Sequence, residues 1–344
     1  MKKVYQCSDW KRHSKRRSLK ELARRRLRKK IKKFKKRLFK GVEGKRFFYR
    51  RPWQIKEEEV LCPAYFSIIQ NPEEMAQFFV RLESSISDGC KLISLNFNDV
   101  SKITEDSILY LLSFFNRHKN IRFRGTYPKD KNCSQLLIDS GFFETIKQKT
   151  LQLPSDPNIF TIKFGNFFCI KTIISVINFL MTKFQVSNPT LMQTQFLYRT
   201  FIECMVNTKN HAYRKINQFS KWWIIAQFNP DTNVVHFTFL DNGFGIPVTV
   251  RKYLGEKIRA KFIGNDAGLI KSTLKGEGRT QTRQRHRGKG LPSIFEFFNF
   301  SKISNLIVVS NKGYYNCETG QALNLKGKFK GTIISWDVDR RNII

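Results

Sequence analysis

A carboxylate and an amide stand four residues apart in Glu203-Cys-Met-Val-Asn207, and 34 positions beyond Asn207 the chain reads Asp241-Asn-Gly243-Phe-Gly245-Ile-Pro. On a helix the first pair shares one face. Glu203 could then act as general base on a water, and the Asn207 amide oxygen suits a hard cation such as Mg²⁺. The Asp-x-Gly-x-Gly turn offers a carboxylate able to accept a hydrogen bond from an exocyclic amine, beside glycines that allow backbone to approach a ligand. Further on, Gly288, Lys289 and Gly290 run into the apolar segment Ser293-Ile-Phe-Glu-Phe-Phe. A glycine loop that opens a helix presents N–H groups and a positive dipole end to phosphate. Each piece alone has a plain alternative, a solvated Arg199–Glu203 helix pair or an ordinary turn. In this order they are the parts of a nucleotide site.

The elements that must position these groups are legible around them. Phe196, Leu197, Phe201, Ile202, Met205 and Val206 give a buried helix, with Arg199, Glu203, Asn207 and His211 at successive i+4 steps on its polar face. The alternating run Val234–Leu240 predicts a strand that leaves Asp241 at its end. Lys330-Gly331-Thr332 begins a last strand. Upstream, Asn71-Pro72 with early acids predicts a helix that stops at Gly89, followed by a strand from Leu92 to Phe97. Thr104 is expected to cap a helix through Phe115, Asn120–Arg124 to form a strand, and Ser134 to begin a helix ended by Gly141. That alternation implies an α/β layer with a partly parallel sheet.

From Ile159 to Val338 the order of motifs resembles the GHKL ATP-binding superfamily, which joins gyrase-type topoisomerases, chaperone ATPases, histidine kinases, mismatch-repair ATPases and the anti-sigma-factor serine kinases. The resemblance implies ATP and Mg²⁺ as cofactors. It also implies that Glu203 activates the attacking water, Asn207 holds Mg²⁺, Asp241 reads the adenine amine, Gly243 and Gly245 floor the purine pocket, Gly288, Lys289 and Gly290 line the phosphates, and Thr332 supports the adenine site. Glu203-x-x-x-Asn207-x-x-x-His211-Ala-Tyr213 is most similar to the anti-sigma kinase branch. Two features depart from the pattern: Arg285 stands where gyrase-like members carry the first lid glycine, and the stretch from Val248 to Arg287 exceeds the lid of the small kinases. None of the five histidines begins a phosphoacceptor box.

The stretch from about Glu59 to Thr150 resembles a STAS domain, the fold of anti-anti-sigma factors, through Leu95-Asn-Phe-Asn-Asp-Val-Ser-Lys-Ile-Thr-Glu-Asp106-Ser107 and the closing Asp139-Ser-Gly141-Phe-Phe. Aligned this way, Asp106 takes the place of the serine that partner kinases phosphorylate. It would mimic a modified state or belong to a domain kept as scaffold.

The expected fold class is therefore α/β: a GHKL-type α/β sandwich with helices on a mixed sheet (156–340), preceded by a small STAS-like α/β domain (59–150) and a basic helical N-terminal arm (1–51). The 344 residues, 41% of them hydrophobic, suffice for two cores. Net charge is +36, of which residues 1–51 carry +21, so polyanions or acidic proteins are the expected partners. Within the arm, Ser18-x-x-Glu21 reads as a capping box ahead of Leu19, Leu22, Ala23, Leu27, Ile31, Phe34 and Leu38. A basic amphipathic helix from Lys15 to Lys40 would engage nucleic acid through phosphate; an anionic lipid surface and a solubilising tail are the alternatives. Seven scattered cysteines without a Cys-x-x-Cys pair point to a reducing, cytoplasmic setting and away from zinc. Residue 2 onward lacks the apolar core of a signal peptide. The longest apolar stretch, Phe167 to Met181, is interrupted by Lys171, too short to span a bilayer and expected as a core helix. These features predict a slow ATPase that switches engagement of nucleic acid or a protein partner, with a serine/threonine kinase or a non-hydrolysing ATP-binding module as alternatives, and with a nucleotide-linked homodimer and a protein partner of the STAS-like domain open.

Overall fold

The computed structural model describes residues 15, 17–19, 21–29, 56–147, 154–212, 221–252, 262–277 and 290–343. The chain divides into two compact units, residues 1–54 and 55–344. In the first, residues 15, 17–19 and 21–29 are helical (α1) and exposed, Leu19, Leu22 and Leu27 among them. Lys15 is already helical, so Ser18 is no cap. Its hydroxyl instead donates to the Lys15 carbonyl at 3.0 Å, the back-bond a serine makes inside a helix. Ile31, Phe34 and Leu38 lie outside the described residues.

The second unit begins with three parallel strands in the order β1-β3-β5: β1 (Glu57–Leu61), β3 (Leu92–Asn96) and β5 (Arg122–Gly125). Parallel neighbours need crossovers, and α2 (Pro72–Ser87) and α3 (Glu105–Arg117) supply them. In α2, Pro72 starts the first turn, Glu73 and Glu74 face the positive dipole end, and Met75, Ala76, Phe79 and Leu82 bury one stripe. Short β2 (Tyr65–Phe66) and β4 (Lys102–Ile103) pair in parallel. The next helix, α4 (Lys131–Asp139), starts three residues before the expected Ser134, because the Asp130 carboxylate caps it by accepting the Cys133 N–H at 2.8 Å. A short α5 (Phe142–Thr145) follows Gly141, whose φ of 76° turns the chain.

The remaining elements are β6 (Ile159–Gly165), α6 (Ile170–Lys183), α7 (Leu191–Ala212), β7 (Trp222–Asn229), β8 (Val234–Asp241), α8 (Ile246–Arg251), α9 (Asp266–Leu274), α10 (Gly290–Asn299), β9 (Ser304–Ser310), β10 (Gly313–Asn316), β11 (Ala322–Asn324) and β12 (Thr332–Asp339). The strands form one seven-stranded sheet in the order β11-β10-β9-β12-β8-β7-β6. Its pairings are antiparallel throughout, a correction to the mixed sheet expected from sequence. The expected core helix is α6, which buries Ile173, Val176, Ile177, Leu180 and Met181 and leaves Ile170 and Ile174 exposed.

Alternation along the strands divides side chains between two cores. Trp222, Ile224, Phe237, Phe239, Ile334 and Trp336 point into the core beneath α6 and α7, where Phe237 stacks on Trp336 at 5.5 Å. Trp223, Ile225, Leu240 and Ile333 point the other way, into a core shared with Ile108, Leu109, Leu111 and Phe114 of α3. The two α/β segments that the sequence separates near 153–157 thus lie in one compact unit, with the N-terminal segment covering a face of the seven-stranded sheet. Asp106, 1% exposed, is an internal tie: its Oδ2 accepts the N–H groups of Ile68 at 2.6 Å and Ile69 at 3.2 Å. Among the described residues, no helix is long and apolar enough to cross a membrane, and the six described cysteines are free thiols.

Candidate functional site

Glu203 and Asn207 lie one turn apart on α7, both partly exposed, while Phe201, Cys204 and Met205 anchor the helix in the core. Their side chains meet the start of α10. A Cβ built on Gly290 would sit 2.5 Å from Glu203 Oε2 and 3.0 Å from Asn207 Nδ2, so the backbone at the start of α10 lies directly against these two side chains, and a larger residue would displace their polar ends. Phe196 packs against Phe297 of α10 at 6.1 Å. Arg199 lays its guanidinium over the same ring at 5.4 Å. Burial raises the Glu203 carboxyl above its usual range, with the Arg199 charge opposing. Gly288 and Lys289 lie outside the described residues, as does the His211 side chain.

Asp241 ends β8, in register with Thr332 on β12 and Trp222 on β7. Its Oδ1 accepts the Gly243 N–H at 2.7 Å. Burial pushes this carboxyl up to about 6, against hydrogen bonds from Gly243 and the Thr332 hydroxyl. Gly245 has φ 85°, and a Cβ there would lie 2.7 Å from Ser310 Oγ and from both side-chain polar atoms of Asn311. The fold thus brings Asp241, Gly243, Gly245 and Thr332 together at one sheet end. The Glu203–Asn207 helix runs beside that end: Cys204, raised mainly by burial, also feels the carboxylates of both Asp241 and Glu203.

Three further residues complete this corner, of which the sequence reading named only Gly331, at the start of the last strand. Ser310 Oγ accepts the Ile246 N–H at 2.9 Å and donates to the Gly331 carbonyl at 2.9 Å. Asn311 donates through Nδ2 to the Phe244 carbonyl at 3.1 Å. Gly331 has φ 96°, and a Cβ there would lie 1.9 Å from the Asp241 carbonyl oxygen. The visible signal for the first two was only Ser-Asn-Lys-Gly after an apolar strand, which reads as a hairpin turn.

Within the long stretch from Val248 to Arg287, α9 is a core helix. Asn265 caps it by accepting the Gly268 N–H at 2.7 Å, Asp266 pairs with Arg251 at 2.6 Å and accepts the Lys312 N–H at 2.9 Å, and Ile270 and Leu274 are buried. Part of the extra length is therefore framework.

No protein-family model matches the chain, and no curated protein matches it. Among the described residues, no group of three or more His, Cys, Asp or Glu side chains is arranged to hold a metal ion. A cation on Asn207 would need oxygens from phosphate and water, as Mg²⁺ commonly takes them.

The raised Asp241 carboxyl yields a pH test. An ionised carboxylate accepts an N–H more strongly than the neutral acid, whose carbonyl oxygen still accepts, and burial in the unliganded fold raises this group to about 6. If this carboxyl takes the adenine amine, as the resemblance implies, adenosine affinity should be full above pH ~7 and weaken as pH falls through about 6, towards the affinity of the neutral acid. Adenosine keeps the phosphate ionisation near ~6 out of the profile. An affinity that stays flat from pH 8 to 5 would remove Asp241 from the contact.

Proposed function

We propose that this protein binds ATP with Mg²⁺ in the manner of the GHKL superfamily and turns it over slowly, as a nucleotide-driven switch. The observation that carries the reading is the convergence of Asp241, Gly243, Gly245 and Thr332 beside α7, on which Glu203 and Asn207 face Gly290. The donor set fits the ligand. Asp241, which the Gly243 N–H and the Thr332 hydroxyl hold in place, offers its carboxylate to the adenine amine. Backbone at Gly243 and Gly245 meets the purine. Asn207 holds Mg²⁺ through its amide oxygen, and the cation supplies charge neutralisation at the phosphates. Glu203, its carboxyl raised by burial, takes a proton from water. Calorimetric titration of ATP with and without Mg²⁺, followed by release of labelled phosphate, tests the reading. Binding without release would leave a nucleotide-holding module, and label on a protein would make it a kinase.

The N-terminal segment is assigned to a STAS-like scaffold, supported by its parallel strands with crossover helices and by the burial of Asp106, which no kinase could reach in this fold. The arm is assigned to nucleic acid, on the strength of its +21 charge and the exposed face of α1. Deleting residues 1–51 should abolish the salt-sensitive component of DNA or RNA binding while ATP binding survives. In the intact chain, log affinity should fall linearly with log salt, at about −0.9 per phosphate neutralised on duplex DNA. Filter binding of both proteins checks this. A deletion that leaves nucleic-acid affinity unchanged would reduce the arm to a solubilising tail, and loss of binding to anionic vesicles instead would reassign it to lipid.

A further inference from the structure

The chain reaches Thr332 through residues 326–331, and this loop is held chiefly by α2 and α3 of the N-terminal segment. Glu73 accepts the Lys326 N–H at 3.2 Å. Gly327 lies flush on α2, where an added Cβ would stand 2.6 Å from the Ala76 carbonyl oxygen. The Phe329 ring meets Tyr110 edge-on at 5.0 Å and Phe79 at 6.2 Å. The Tyr110 hydroxyl accepts the Lys330 N–H at 2.8 Å. Glu83 binds Lys330 Nζ at 3.0 Å and His118 Nε2 at 3.2 Å, and the His118 bond, with Lys330 assisting, pulls its carboxyl down to about 2.

From this loop, contacts continue directly into the site. The Phe329 N–H donates to the Asn311 carbonyl at 2.9 Å, and the Asn311 side-chain amide donates to Phe329 at 3.4 Å and Phe244 at 3.1 Å. Ser310 links the Gly331 carbonyl to the Ile246 N–H, each at 2.9 Å. Gly331 abuts the Asp241 carbonyl so closely that no Cβ fits. A shift at Lys330 therefore has to be taken up by Gly331, Ser310 and Asn311, the groups that shape the turn from Asp241 to Ile246. Packed interiors pass such displacements on because they have few voids to absorb them.

We propose that Tyr110 and Glu83 are positioning residues of the nucleotide site, so that the N-terminal segment and the nucleotide are linked through residues 326–331. The inference rests on the ATP reading above and adds a regulatory route to it. Linkage is reciprocal: nucleotide in the site tightens the N-terminal segment by the factor with which that segment tightens nucleotide. A partner that binds α2 or α3 would thereby change ATP affinity without touching ATP.

The test uses the full chain with Tyr110→Phe, which removes one oxygen and keeps the ring, and Glu83→Gln. Each should weaken ATP binding about fivefold, the share of one net hydrogen bond, and speed amide exchange in peptides covering 241–248. Glu83→Gln combined with Lys330→Gln should be no weaker than Glu83→Gln alone, because the Lys330 contact is already broken in the single variant. Asp139→Asn serves as control. It loosens the same unit elsewhere, where Asp139 accepts the N–H groups of Ser155 at 2.7 Å and Asp156 at 3.3 Å, and it should leave ATP affinity unchanged. Parent-like affinity in Tyr110→Phe and Glu83→Gln overturns the linkage while leaving the ATP site standing. Equal weakening by Asp139→Asn also overturns it, by showing a general loss of rigidity. A parent chain that binds no ATP overturns the nucleotide reading and the linkage together.

Discussion

Replacing Glu203 by alanine is expected to leave ATP and Mg²⁺ bound and to slow hydrolysis by about 10²- to 10⁴-fold, the usual contribution of a positioned general base. The helix should persist, since alanine is the strongest helix former and Phe201, Cys204 and Met205 keep α7 in the core. Burial that raises the Glu203 carboxyl also makes it a better proton acceptor than an exposed glutamate would be. Asn207 stays in place beside Gly290, so the residue proposed to hold Mg²⁺ is not lost with the proposed base. Single-turnover hydrolysis, with binding measured separately, checks both halves of the expectation. A variant that hydrolyses ATP at the parent rate would make Glu203 a helix-face carboxylate. One that no longer binds nucleotide would move its role from chemistry to structure.

How far this could be read without coordinates depended on the kind of signal. The spacing of Phe196, Leu197, Phe201 and Met205 marks one buried stripe, so α7 and the face that carries Glu203 and Asn207 were legible, and the alternation ahead of Asp241 placed β8. Sheet direction was not legible, because pairing is decided by contacts far apart in sequence. Trp222 to Phe228 shows no alternation, since α6 packs on one face of β7 and α3 on the other; a strand buried on both sides is largely apolar. The long stretch after Val248 resembled an extended lid because length alone does not reveal that Ile270 and Leu274 fill the core. The union of the two α/β segments was hidden for a similar reason. Ile108, Leu111 and Phe114 announce a buried face on α3, without saying that the surface covering it is the seven-stranded sheet.

The second large effect concerns Asp241. Its Oδ1 is held by the Gly243 N–H at 2.7 Å, it stands opposite Thr332 in the sheet, and it is the carboxylate proposed to take the purine amine. Asp241→Asn preserves size and exchanges an acceptor for a donor that opposes the amine. Asp241→Ala removes the contact and the carboxylate's own burial cost together, so it should stabilise the unliganded fold slightly while weakening the complex. Both variants should lose about 1.5–3 kcal/mol of ATP binding, the value of a charge-assisted hydrogen bond, or roughly 10- to 150-fold in affinity. Titration of ATP into the parent chain and Asp241→Asn by calorimetry, at pH 8 where the parent carboxyl is ionised, tests the nucleotide site most directly: the account predicts binding in the parent that weakens at least about tenfold in the variant, and equal affinity in the two proteins would contradict it.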